Sequence, residues 1–207
     1  MLQQDSFTYF VHKTNRTNGL VLDKSREGWP ASIAAVGFAL AAYPSGVESG
    51  FMARDDAVQR TLTTLRFFAN APHGPDPDAT GHKGFYYHFL DMNSGQRAWR
   101  SELSSVDTAF LLAGMLAAAY YQQQTAEEDE IRKLADALYQ RADWQWMQNG
   151  EGTRILQVVE PTRCPGHRRC GSRAIRTLIW RETHNRTHNT RMRPPPPFPR
   201  AGMRAPR

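Results

Sequence analysis

No apolar run in this sequence is long enough to cross a membrane. The nearest, Val106 to Tyr121, carries Asp107 and many alanines, and it falls short of the roughly 18 uninterrupted apolar residues that a span needs. It reads as a buried helix. The opening stretch, MLQQDSFTYF, has neither the basic n-region nor the apolar h-region of an export signal, so location stays open. Cysteine is almost absent: Cys164 and Cys170 flank His167 near the C-terminal end, and one such cluster lacks the four spaced ligands of a zinc site. There is no nucleotide-binding glycine loop and no Ser-His-Asp arrangement placed by spacing, so neither a metal nor a cofactor is expected.

Lysine is missing from the last part of the chain. From Glu151 to Arg207 all 13 basic residues are arginine, against 3 glutamates, so the overall +6 divides into −4 for residues 1–150 and +10 for residues 151–207. An acidic body argues against a nucleic-acid-binding globular part and suits a neutral substrate. Beyond Gly150 the hydrophobic periodicity stops, and the chain finishes in RMRPPPPFPRAGMRAPR, the composition of a disordered segment. Two origins compete for it: an arginine-rich tail for an acidic partner or RNA, or GC-rich DNA translated out of frame. The abrupt change favours the second. Interleaved aromatics for single-strand binding are missing, since only Trp180 and Phe198 are present there.

What is present before that point is helical. Leu2 to Lys13 places Phe7, Phe10 and Val11 on one face, and Asn15 to Asp23 reads as a turn with Gly19 free to take positive φ. Asn15-Arg16-Thr17 matches a glycosylation sequon, a triplet that also arises by chance. Pro30 and Ser32 mark the start of an apolar, small-residue helix, SIAAVGFALAAY, expected to break at Pro44-Ser45-Gly46. Arg54 to Asn70 then carries a stripe at Val58, Leu62, Leu65 and Phe68, with Asp55 and Asp56 favouring its amino end. The couplet recurs as apolar Ser105 to Tyr121 and amphipathic Glu127 to Ala142, the latter with Ile131, Leu134, Ala135 and Leu138 on one side. Asp143 to Gly150 is expected to end that fifth helix. Repeated couplets of buried and half-exposed helix suit concentric layers, either an α/α toroid or an ordinary bundle.

Between the couplets lies a long connection, Ala71 to Ser104, and connections of that length in a compact domain are usually functional. Its stretch GFYYHFLDMNSGQRAWRSELS gathers carboxyl groups, aromatics and planar polar side chains. Those are the parts of a carbohydrate site, because carboxyl groups move protons at a glycosidic bond and aromatic faces hold sugar rings. A loop packed under a core helix would also look like this. Asp107 follows Ser104 at capping-box spacing, so capping and sugar contact are both open to it.

Read together, ASIAAVGFALAAYPSGVESGFMARDDAVQRTLTTLRFF, GFYYHFLDMNSGQRAW, SELSSVDTAFLLAG and ADALYQRADWQWMQNG resemble the bacterial glycoamylase-like family. That family includes endo-β-1,2-glucanases, and a related module occurs in cyclic β-1,2-glucan synthases. The resemblance implies an (α/α)6 toroid with a groove at one mouth, and hydrolysis of a β-glucan, β-1,2-glucan first, by paired carboxyl groups with inversion. It places Glu102 at the cleaved linkage and assigns Tyr86, Tyr87, His88, Asp91, Arg97, Trp99 and Asp107 to the groove, with Asp23 reaching the same mouth. A lone histidine in an aromatic strand, as His88 is, is more often a hydrogen-bonded packing residue than a proton shuttle, and Trp99 or Tyr87 would equally serve as core. The family's later block, with a Trp, a Gly-Tyr pair and a carboxylate, has no counterpart in Glu151 to Arg207. The expectation is therefore all-α: about five helices of a partial (α/α)6 toroid over residues 1–150, followed by a disordered tail over residues 151–207. Such a domain is expected to take an oligo- or polysaccharide and to be inactive alone. The alternatives are a noncatalytic glucan-binding or processing module of the cyclic-glucan-synthase type, and an acidic-partner binder acting through the tail. The family is commonly exported.

Overall fold

Two helices of small apolar residues form the centre of the molecule. In the computed structural model, which describes residues 2–119 and 125–148 and the backbone of Val158–Val159, these are α2 (Ile33–Glu48) and α4 (Ser105–Ala118), packed along each other. Glycine sets how close they come. A Cβ on Gly114 would lie 2.1 Å from the carbonyl oxygen of Gly37, and one on Gly37 would lie 2.3 Å from that of Phe110. The backbones therefore touch, with Val36, Leu40, Leu111 and Met115 buried around the crossing.

The amphipathic helices α3 (Arg54–Asn70) and α5 (Ala126–Arg141) pair with each other outside this couple. The stripe Val58, Leu62, Leu65 and Phe68 is buried, as are Ile131, Ala135 and Leu138, while Leu134 is partly covered. Across the pair, Arg54 Nη2 meets the buried Glu128 at 2.6 Å, and Arg66 takes both oxygens of Glu130 at 2.6 Å. Inner couple and outer couple are thus two layers, as the alternation of composition predicts. α1 (Leu2–His12) covers the end of α2, Phe7 lying so near Gly46 that a Cβ there would come within 2.2 Å of its ring.

Three expectations need correction. α2 does not break at Pro44; it runs to Glu48, because the lost backbone bond falls in a last turn held by Tyr43, Gly46 under Phe7, and the Ser49 and Gly50 amides bonding back to Ser45 and Val47. The Asp143 segment does not finish α5. Ala142 is extended and Asp143 starts a separate single turn, α6 (Trp144–Met147), by accepting from the Trp146 amide at 2.9 Å. The Ala71–Ser104 connection is not a plain loop either, for it holds β2 (Gly81–His82), β3 (Phe85–Tyr87), β4 (Phe89–Leu90) and β5 (Leu103–Ser104).

β4 pairs antiparallel with β1 (Ala31–Ser32), and a second sheet runs β2-β3-β5-β6, where β6 is Val158–Val159. β2 turns into β3 through Lys83 (φ 55°) and Gly84 (φ 80°), the two left-handed residues of a tight hairpin. Gly19 takes φ 74° as expected and has no room for a side chain, since Thr64 stands where its Cβ would be. Tail residues other than Val158 and Val159, Cys164, His167 and Cys170 among them, lie outside the described residues, as do Tyr120 and Tyr121. No helix among the described residues is long and apolar enough to cross a membrane.

Candidate active site

β5 runs straight into α4, so Glu102 and Asp107 bracket one strand-to-helix junction. Ser104 caps the helix, its Oγ accepting from the Asp107 amide at 3.1 Å. The Asp107 carboxylate points elsewhere: its Oδ2 lies 3.7 Å from His88 Nδ1. His88 sits between β3 and β4 with its backbone fixed on both sides. Its N–H donates to the Glu102 carbonyl at 2.9 Å, and its own carbonyl accepts from the Ile33 N–H at 3.2 Å, where α2 begins. The ring stacks on Phe89 with centroids 4.0 Å apart, and Nδ1 lies 3.0 Å from Glu102 Oε1. Side-chain exposures of 30%, 32% and 19% for His88, Glu102 and Asp107 leave all three in reach of solvent.

Aromatic rings stand beside this cluster. Trp99 is 57% exposed and meets Phe89 at 5.4 Å and Trp29 at 4.7 Å, both edge to face. Its backbone is left-handed, φ 53°, and so is that of Arg100, φ 54°. Two consecutive side-chain-bearing residues in that region cost free energy and persist only where surrounding contacts impose them. Arg97 supplies such contacts. Its Nε donates to the Ser101 carbonyl and its Nη2 to that of Arg100 at 2.7 Å, while the guanidinium lies 4.3 Å over the Tyr87 ring. Buried Ser101 closes the loop from inside, accepting from the Phe89 amide and donating to the Phe89 carbonyl, each at 3.1 Å. Asp23 holds the far end of the wall by accepting from Trp29 Nε1 at 3.2 Å, and Lys24 and Arg26 sit about the same indole.

The structure thus brings together His88, Glu102 and Asp107, with Trp99 beside them and Asp23 and Arg97 bracing the wall. Three other expected groove residues lie elsewhere. Tyr86 and Tyr87 have no accessible surface. Tyr86 lies between Phe68 and His73, and burial pushes its phenol up to about 12; burial also raises that of Tyr87. Both are core residues whose alternation in β3 leaves no face for a sugar. Asp91 is exposed, but its Oδ1 is filled by the Ser94 and Asn93 amides at 2.8 and 3.0 Å and the Ser94 hydroxyl at 2.9 Å, bonds that hold it below the usual carboxylate range. It builds the Asn93-Ser94-Gly95 turn. The Asn15 amide of the sequon is committed too, donating to the Met92 carbonyl at 2.7 Å.

Sequence reading missed Trp29, Phe89 and Ser101. Trp29 carried the only legible signal, an aromatic between Gly28 and Pro30 where a loop residue would ordinarily be polar. Among the described residues no group of His, Cys, Asp and Glu could hold a metal ion. What the arrangement offers is proton transfer beside a stacking surface.

No family model matches the chain. It is 30% identical over 157 residues to an exo β-1,2-glucooligosaccharide sophorohydrolase (non-reducing end) of Parabacteroides distasonis, a match that takes in 70% of this chain and 20% of that protein. Among solved structures, the β-1,2-glucanase from Parabacteroides distasonis superposes with a TM-score of 0.68 at 27% identity, over 79% of this chain and 24% of that one. The endo-β-1,2-glucanase from Chitinophaga pinensis, in complex with sophorotriose and glucose, gives 0.66 at 18% identity over 77% and 39%, a likeness of fold. The chain thus spans about a fifth of the length of the curated relative it matches.

Proposed function

Proceeding from a chain that resembles the glycoamylase-like, β-1,2-glucanase-like family in sequence and is a partial α/α toroid in fold, we propose that it carries the substrate-groove part of a β-1,2-glucan hydrolase. The observation that carries this reading is the convergence of Glu102, His88 and Asp107 beside the exposed face of Trp99. Glu102 is the carboxyl at the cleaved linkage. A sugar ring stacks on Trp99, Asp23 holds Trp29 behind it, and Arg97 with Ser101 fixes the loop.

We assign Asp107 to the His88 ring and not to a second reacting carboxyl. Its Oδ2 and Glu102 Oε1 lie 3.7 and 3.0 Å from one nitrogen, so those oxygens are at most about 6.7 Å apart, at the bottom of the roughly 6.5–9.5 Å that leaves room for an attacking water. On this assignment the water-activating carboxylate of an inverting enzyme is a different residue of the groove. On this reading the chain binds glucan and turns it over poorly or not at all.

Titration of the purified chain with linear β-1,2-glucan oligosaccharides, followed by tryptophan fluorescence and reducing-sugar release, tests the proposal. Saturable binding that Trp99→Ala weakens about tenfold, the order expected for one lost stacking aromatic, supports it. Robust turnover abolished by Glu102→Gln would show a complete catalytic pair in this chain. Binding of β-1,4-glucan with equal strength, or of neither, would sink the substrate assignment.

A further inference from the structure

Resting on the reading of Glu102 as the reacting carboxyl, we propose that His88 is its proton carrier, and that Asp107 is a positioning residue acting on Glu102 through that ring. Both carboxylates face a single ring nitrogen. Glu102 Oε1 is within hydrogen-bond distance of Nδ1 at 3.0 Å, whereas Asp107 Oδ2, at 3.7 Å, is too far for such a bond and acts on the ring by charge. While Glu102 is ionised, Nδ1 meets it carrying the hydrogen, because an ionised carboxylate accepts and does not donate.

The ring is held for this task. Backbone bonds to the Glu102 carbonyl and from the Ile33 amide fix His88 to both neighbouring elements, and the stack on Phe89, 13° from parallel, fixes the ring plane. The transfer balances as one proton. In the imidazolium the Nδ1–H bond breaks with its electron pair staying on nitrogen, Oε1–H forms, and the ring is left neutral with its hydrogen on Nε2. Glu102 is then a carboxylic acid ready to protonate a leaving glycosidic oxygen. Nδ1 regains a proton from solvent, which the partial exposure of the ring allows.

The test uses the full chain with 15N-labelled histidine. Ring-nitrogen shifts and one-bond N–H couplings read which nitrogen of neutral His88 bears the hydrogen, without recourse to activity. The expected result is hydrogen on Nδ1 of neutral His88 in the unsubstituted chain. In Glu102→Gln the hydrogen should move to Nε2; Asp107→Asn should give a smaller change in the same direction. A hydrogen on Nε2 in the unsubstituted chain, indifferent to both substitutions, overturns the proposal. His88→Asn, which keeps an amide N–H near the Nδ1 position, is compared with His88→Gln by circular dichroism and glucan titration, so that a folding defect is recognised as one. The two readings fail separately. Loss of all glucan binding with the Nδ1–H signature intact removes the hydrolase reading, whereas glucan binding without that signature removes the proton-carrier role alone.

Discussion

Two acidic side chains fourteen or fewer residues from His88 in the same segment have opposite fates, and what fills their oxygens decides which. Asp91 spends one oxygen on the Ser94 and Asn93 turn donors, whereas Glu102 meets a titratable ring and open solvent. Because the turn amides hold Asp91 below its ordinary value of 3.8, it contributes stability at neutral pH. That contribution is fully present above 3.8 and is lost as pH falls from there through the lower folded value. Asp91→Ala should therefore cost about 0.5–1 kcal/mol in urea unfolding at pH 7, the low end because the carboxylate faces water. Asp91→Asn keeps an acceptor without the charge, and it should flatten the acid limb of the stability curve. Arg100 supplies a second case. Its φ of 54° carries the left-handed penalty, so Arg100→Gly should stabilise by roughly 0.5–1 kcal/mol, the relief of about 1–2 kcal/mol less the entropy glycine adds to the unfolded chain.

Helices were legible in the sequence because their patterns repeat over many residues, and the site was legible only in part because it is made by pairing. The stripe Val58, Leu62, Leu65 and Phe68 marks α3 over its full length, Arg54–Asn70, and the small-residue run accounts for the closeness of α2 and α4. Nothing local says that β1 takes β4 as partner, and it is that pairing which brings the Ile33 amide to His88 and aligns Phe89. Tyr86 and Tyr87 looked like groove aromatics for the same reason. Their burial follows from β3 lying between β2 and β5 with Thr108 of α4 bonded to the Tyr86 amide at 3.0 Å, a tertiary fact. Two substitutions test how elements hold one another. Gly114→Ala would set a methyl 2.1 Å from the Gly37 carbonyl, where backbone and no flexible side chain must yield; a loss of about 3 kcal/mol is expected by denaturant titration. Arg54→Met would leave Glu128, 1% exposed, without its 2.6 Å partner between α3 and α5, and several kcal/mol, about 3–5, should be lost.

At the scale of the whole molecule, the inner couple covers less than its composition demands. Phe38 is 49%, Phe110 46% and Val106 42% exposed, and Phe38 and Phe110 lie 5.3 Å apart across α2 and α4. Ala41, Ala109 and Ala113 are exposed on the same two helices, so the open surface is a continuous apolar band and not scattered side chains. Surfaces of this kind on a soluble chain drive association. The solved β-1,2-glucanases that share the fold are longer, this chain spanning 24% and 39% of them. The purified chain should therefore show an apparent mass that climbs with concentration in sedimentation velocity. Phe38→Ser with Phe110→Ser should return it towards the monomer at only a modest loss of stability, because about half of each ring already faces water. Association that is unchanged by the pair, or that disappears at moderate salt, would assign it to charge and release the inner helices from this role.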